Sequence, residues 1–275
     1  NIFNIAIKGN FDDCQKFVKE LFIDDELQQH TSLTAINSIN WARLMAQVVY
    51  YFWSYLQIDH KEINFIVPSG NFGNVFSANV AKKMGLPINQ LHITTNQNDI
   101  LHSSIKKGLM KKNVVTQTYS PSMDIQVSSN FERQLFESSG RDSDSIKDIF
   151  YEFSKNNSYT FDKDVQNDLQ SCYSTTAVSN DETLNAIKKI KEKYNYLADP
   201  HTSTGLHVLL EKEESLPWVS LACAHPAKFG DAIEKATGEL PTLPKDLSKL
   251  FDKEEKMTIL DNNKEVLKSL ILKKL

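Results

Sequence analysis

The chain has 275 residues, enough for one large α/β core or two modest ones. Hydrophobic residues at 40% and charged residues at 24% exclude wholesale disorder and fibrous repeats, and 31 Lys and Arg against 35 Asp and Glu, net −4, leave no electrostatic footprint for nucleic acid. Cys14, Cys172 and Cys223 are too few and too scattered for a disulfide framework or a CxxC metal pair, which fits a reducing, cytoplasmic compartment, and no apolar run reaches the ~20 residues of a membrane span.

The chain opens at Asn1 without a methionine, directly on a strand-like run, so a segment is expected upstream. Phe3 to Ile7 predicts a strand. Asp12 to Phe22, with Phe17, Val18, Leu21 and Phe22 at helical spacing, predicts a helix. From Ser38 to Gln57 apolar residues recur every three or four positions, which predicts a long, largely buried helix with Ser38 as its N-cap. Next come a strand over 63–67, a Gly/Asn turn, a helix over about 75–83 closed by Gly85 and Pro87, and a strand over 91–95. Strand, helix and strand of these lengths imply a parallel pair with a right-handed crossover. Residues 141–170 are charged and helical in pattern, 181–193 form an amphipathic helix, 218–222 a strand, and 260–275 a final helix. Repeated β-α alternation indicates an α/β fold with a doubly wound, mostly parallel sheet.

The turn "VPSGNFGN", residues 67–74, joins a strand to a helix, where unpaired backbone N–H groups and the positive end of the helix dipole collect. It reads as an anion seat: Ser69, Asn71 and Asn74 add donors, and Gly70 and Gly73 permit close approach and positive φ. With no lysine and no GxGxxG it is not a nucleotide loop. It suits the phosphate of a cofactor held elsewhere, or it is a tight turn with nothing bound. In "INSINWARLMAQ", Asn37, Ser38 and Arg43 could hold a second phosphate or a carboxylate, or serve only as N-cap and surface cation. In "LACAHPAKFGDA", Cys223 could be a nucleophile, a hydrogen-bond partner for a ligand, or a small buried residue. His201 and His225 read as general-base candidates or turn histidines, and no HExxH-like spacing makes them a metal pair. Asn96, Asn98 and Asp99 follow a strand end, where ligands collect.

Together, "VPSGNFGN", "AINSINWARL", "TTNQND", "SPSMDIQVSSNFERQLFE", "DPHTSTG" and "CAHPAKF" resemble, in order, the motifs of the threonine synthase family, pyridoxal-phosphate enzymes of fold type II. The resemblance implies conversion of O-phosphohomoserine and water to threonine and phosphate. By the same resemblance Ser69, Gly70, Asn71, Phe72, Gly73 and Asn74 hold the cofactor's 5′-phosphate. Asn37, Ser38 and Arg43 match the family's N-S-x-x-x-x-R grip on the substrate phosphate. Cys223 stands where similar enzymes carry Thr or Ser facing the pyridine nitrogen. The family's Schiff-base lysine, in a Phe-Lys-Asp-like stretch, has no counterpart in this chain, and Lys228 belongs to a different motif. The lysine and part of the small domain are therefore expected upstream, and this chain alone is expected to be inactive. The resulting division is 1–58 as the remainder of the small domain, 59–239 as the large cofactor-binding domain, and 240–275 as tail and helix. Other readings are a related phospho-lyase releasing phosphate and a keto acid, and a non-catalytic phosphate-binding homologue. The expected partner is a small-molecule substrate, with no nucleic acid or membrane, in a monomer or homodimer.

Overall fold

A computed structural model of the chain describes residues 2–212, 215–250 and 252–275. The first elements are strand β1 (Ile5–Ile7), helices α1 (Phe11–Phe22), α2 (Asp25–His30) and α3 (Trp41–Leu56), strand β2 (Ile63–Pro68), helix α4 (Gly73–Lys83) and strand β3 (Ile88–Thr95). Helix α5 (Ile100–Lys107), strand β4 (Leu109–Lys111), helices α6 (Phe131–Ser138) and α7 (Ser143–Asn156), strand β5 (Ser158–Thr160), helix α8 (Lys163–Cys172) and strand β6 (Tyr173–Ala177) follow. The chain continues with helices α9 (Asn180–Tyr194) and α10 (Pro200–Leu209), strand β7 (Trp218–Ser220), helix α11 (Gly230–Thr237), strand β8 (Thr258–Leu260) and helix α12 (Lys264–Lys274). Among the described residues no helix is long and apolar enough to cross a membrane.

Two compact units divide the chain: one runs to Ala35 and is joined by Leu243–Leu275, the other is Ile36–Thr242. These units do not follow the bounds expected from the sequence. Helix α3 falls in the larger unit because its Leu44, Val48 and Tyr51 share a core with Val75 and Phe76 of α4. The tail falls in the smaller unit because β8 pairs in parallel with β1, Ile5 opposite Thr258, and because Lys268 bridges Asp24 and Glu26 at 2.8 and 2.7 Å.

The larger unit is built on a four-stranded parallel sheet in the order β6-β3-β2-β7. All six residues of β2 are buried, as expected of a central parallel strand with helices on both faces. Ile63, Phe65, Ile66 and Val67 are each fully buried, worth about 1.5–3 kcal/mol apiece. The β2–α4–β3 crossover is the parallel pair expected from the sequence. Helix α3 is only half buried: Trp41, Met45, Val49, Trp53 and Leu56 form an exposed apolar stripe opposite Leu44, Val48 and Tyr51. Strand β7 ends at Ser220 rather than at 222, and β6 and α10 are additional elements.

Candidate functional site

Because β2, β3 and β7 run parallel, their carboxyl ends meet along one edge of the sheet. There β2 ends at Pro68 and α4 begins at Gly73. Ser69 N–H donates to Thr94 O at 2.9 Å, extending the β2–β3 ladder. Ser128 Oγ donates to Gly70 O at 2.7 Å. Asn130 donates to Asn71 O twice, through its backbone N–H and its Nδ2, at 3.1 Å each. The turn's carbonyls are thus tied to the segment 128–130. Its N–H groups have a different fate. Helix α4 has no side-chain cap and no acidic residue in its first turn, so the N–H groups of Gly73, Asn74 and Val75, which no helical carbonyl can reach, present the positive helix end to an anion.

The left-handed residue of this turn is Phe72, at φ +62, and not Gly70 or Gly73. Its ring is fully buried against Phe131 and Tyr173, at 5.2 and 5.5 Å between centroids. Burial of that ring offsets the roughly 1–2 kcal/mol that the left-handed conformation costs. Phe72 therefore brings only its backbone to the seat. Gly70 serves close approach: a Cβ there would stand 3.1 Å from Met123 Cα and 3.3 Å from Ser122 O. Asn74 is half-buried, and Tyr51 fixes it by donating its hydroxyl to Asn74 Oδ1 and O at 2.7 and 2.9 Å.

A Cβ on Gly73 would lie 2.9 Å from Ser38 Cβ. The two constellations that the sequence singled out are therefore in contact. Asn37 Oδ1 accepts from Ile39 N–H at 2.9 Å and Asn37 O from Asn40 N–H at 3.2 Å, a tight turn that delays the helix. Asn40, not Ser38, caps α3, with Oδ1 accepting from Ala42 N–H at 3.0 Å. Ser38 is thereby left in the turn, beside the start of α4. Arg43 is exposed in the first turn of α3, which holds no acidic residue.

Asp199 organises the third side of the edge. Its buried carboxylate accepts from His201 N–H and Nδ1–H at 2.9 Å each, from the Thr202 hydroxyl, and from Ala224 N–H at 3.1 Å. Burial opposes its charge, but the bonds from His201 and Thr202 prevail and hold the carboxyl below the usual range. His201 Nε2 accepts from Ser122 N–H at 3.1 Å, which fixes the ring as the Nδ1–H tautomer. Thr202 Oγ1 accepts from Cys223 N–H at 2.8 Å. Cys223 is exposed as a residue, yet its thiol is surrounded by protein atoms. That desolvation, with the neighbouring Asp199 charge, pushes it up to about 12, so the side chain is a neutral thiol. Among the other candidates, His225 is a turn residue whose Nδ1 accepts from Ala227 N–H at 3.1 Å. Lys228 is exposed, with its Nζ 5.8 Å from the Phe229 ring centroid. Among the described residues no group of three or more His, Cys, Asp or Glu side chains converges to hold a metal ion.

Residues 202–271 match the family model described as threonine synthase, C-terminal. The threonine synthase of Pseudomonas aeruginosa is 43% identical over 95% of this chain and 57% of its own length, and that of Saccharomyces cerevisiae 38% identical over the same shares. A crystal structure of PLP-bound threonine synthase from Brucella melitensis superposes with a TM-score of 0.88 at 43% identity, over 98% of this chain and 59% of that one. Along nearly its whole length the chain is similar, in sequence and in fold, to threonine synthases. It spans 57% of the length of these two curated relatives.

The structure also brings forward residues that spacing alone did not single out. Asp124 accepts from Asn96 Nδ2, Asn98 Nδ2, Thr118 N–H and Thr118 Oγ1 at 2.7–2.9 Å, so Asn96 and Asn98 pin the loop that passes Gly70. Asp99 precedes α5 without a side-chain cap bond. Asn130 and Arg133 connect the two turns. The signal for Asp199 was present in "DPHTSTG": an Asp followed by Pro is a helix N-cap with Pro at the first helical position, which is how α10 begins.

Proposed function

We propose that this chain forms the phosphate-binding part of a pyridoxal-phosphate-dependent threonine synthase, which converts O-phosphohomoserine and water to L-threonine and phosphate. The observation that carries the reading is the contact of two turns, Ser38 against Gly73. A substrate that presents its own phosphate to a cofactor held by its phosphate needs two such seats side by side.

The residues fit pyridoxal phosphate. An uncapped helix N-terminus, a turn whose Gly70 leaves its backbone free of side-chain bulk, and a neutral thiol suit a phosphate at one end and a weakly basic ring nitrogen at the other. When bound, the cofactor supplies the electron sink for carbanion chemistry. Ser69 and the N–H groups from Gly70 to Val75 would hold its phosphate. Cys223 would take the ring nitrogen, and as a neutral partner it leaves that nitrogen largely unprotonated, where a carboxylate would favour the cation. Asn37, Ser38 and Arg43 would grip the substrate phosphate, first as handle and then as leaving group, where a fixed cation stabilises the departing charge. No lysine occurs in 37–43, 69–74 or 221–225. The chain alone is accordingly read as a binder of both phosphates that turns nothing over. A small-molecule enzyme of the cytoplasm completes the proposal.

The test is titration of the chain with pyridoxal phosphate, followed by cofactor absorbance, and then with O-phosphohomoserine. Gly70→Val should abolish the first binding event, and Arg43→Met should weaken the second while sparing the first. Equal loss of both in Arg43→Met, or retention of both in Gly70→Val, sinks the assignment of two adjacent seats.

A further inference from the structure

The two turns touch, and a relay of hydrogen bonds joins them. The connection passes through one turn of α6. Asn130 and Arg133 stand three residues apart, on one face of a helix. Asn130 Nδ2 donates to Asn71 O at 3.1 Å, and its Oδ1 accepts from Arg133 Nε at 3.1 Å. Arg133 Nη2 donates to Ile39 O at 3.2 Å, inside the Asn37–Asn40 turn. The guanidinium carbon lies 5.5 Å from the centre of the Trp41 ring, at the first residue of α3. Phe131, between the two polar residues, is buried against Phe72, so the helix that carries them is locked to the cofactor turn by its core side.

We infer that Arg133 is a positioning residue for the substrate phosphate: it fastens the 37–40 turn to the 69–74 turn, and so sets Ser38 and Arg43 at a fixed distance from the cofactor seat. The inference rests on the threonine synthase reading of Asn37, Ser38 and Arg43. Arg133 acts through others. Its Nε serves Asn130, an Nη2 hydrogen serves Ile39, and its face serves Trp41. Only a planar fork meets those three demands at once. A lysine offers a point charge to one of them.

The experiment uses the chain saturated with pyridoxal phosphate and inorganic phosphate as the probe of the second seat, in calorimetric titrations of Arg133→Met, Arg133→Lys and Arg43→Met. Arg133→Met should bind inorganic phosphate roughly ten- to hundredfold more weakly, the worth of charge-assisted hydrogen bonds, with pyridoxal phosphate affinity altered less than about threefold. Arg133→Lys should fall nearer to Arg133→Met than to the parent. Amide hydrogen exchange at Ile39 and Asn40 should speed up in both variants, while exchange in β2 stays at the parent rate; a general loss of stability would move both. Phosphate affinity and exchange at the parent level in Arg133→Met, with Arg43→Met weakened, overturn the positioning role alone. Phosphate binding untouched in Arg43→Met means instead that the family reading of the seat has failed.

Discussion

Gly73→Ala is the substitution for which the structure gives the most definite expectation. Alanine in place of glycine in a helix normally gains up to about 1 kcal/mol. Here the new methyl would stand 2.9 Å from Ser38 Cβ, 3.2 Å from Leu44 Cδ2 and 3.4 Å from Asn130 Nδ2. The first distance is shorter than carbon atoms tolerate, and Leu44 is itself buried in the core. Overpacking of this kind costs about 1–3 kcal/mol, so the net effect is a loss of up to about 2 kcal/mol. In a unit the size of Ile36–Thr242 that lowers Tm by up to roughly 8 °C. Relief should come through Ser38 backing away, which separates the seats and weakens inorganic phosphate binding. Thermal unfolding and phosphate titration of Gly73→Ala, Ser38→Gly and the double variant test both statements. The double-mutant cycle should return a favourable coupling of about 1 kcal/mol. Gly85→Ala is the control: Gly85 is left-handed at φ +101 with open space around it, so alanine there strains the backbone without touching the site. A Gly73→Ala chain as stable as the parent, with undiminished phosphate binding, would refute the contact between the seats.

Asp199→Asn should cost at least about 2 kcal/mol, because a carboxylate serving several donors is lost. Since the folded carboxyl lies below the ordinary 3.8, its contribution is complete above that value and is lost as pH falls through the folded one. Acid unfolding curves should therefore be steeper for the parent than for Asp199→Asn; equal slopes below pH ~4 would contradict the hub. Cys223 should alkylate slowly at pH 8.5 despite its exposure, since a thiol at about 12 against an ordinary 9.0 carries roughly a thousandfold less thiolate; rapid, stoichiometric modification by iodoacetamide, mapped by mass spectrometry, would show that the thiol is not so held. Tyr51→Phe removes the hydroxyl that fixes Asn74 at 2.7 and 2.9 Å and should cost about 1–2 kcal/mol in denaturant unfolding, an expectation defeated by an unchanged midpoint.

The parallel sheet and its helices were legible because period and punctuation agreed. The buried run from Ile63 was followed by a glycine turn, and Asn10 capped α1 through a box with Asp13. Where the sequence misled, two local solutions were equally good. Ser38 and Asn40 are both preferred N-caps, and what decided between them was the bond from Ile39 N–H to Asn37 Oδ1, which holds the chain in a turn for two more residues. The positive φ at Phe72 had no local sign at all, since two flanking glycines are the natural hosts and a bulky ring is held there only by its burial. Helix α10 was hidden by its own composition: Thr202, Ser203, Thr204 and Gly205 are weak helix formers that are nonetheless buried, and Gly205 approaches Ser220 so closely that a Cβ would meet its Oγ at 2.5 Å. Arg133 gave no spacing signal because one of its partners lies three residues before it and the other 94 residues before it.

Loops that bind anions usually breathe on their own, because glycine makes local opening cheap. This one cannot. To leave its left-handed conformation, Phe72 would have to withdraw its ring from Phe131 and Tyr173, and those rings belong to the main core. The seat therefore shares the cooperative unit of the sheet beneath it: the amide of Phe76, which donates to Phe72 O at 2.9 Å, should exchange with solvent on the timescale of β2, and the geometry of the turn persists for as long as the domain itself stays folded.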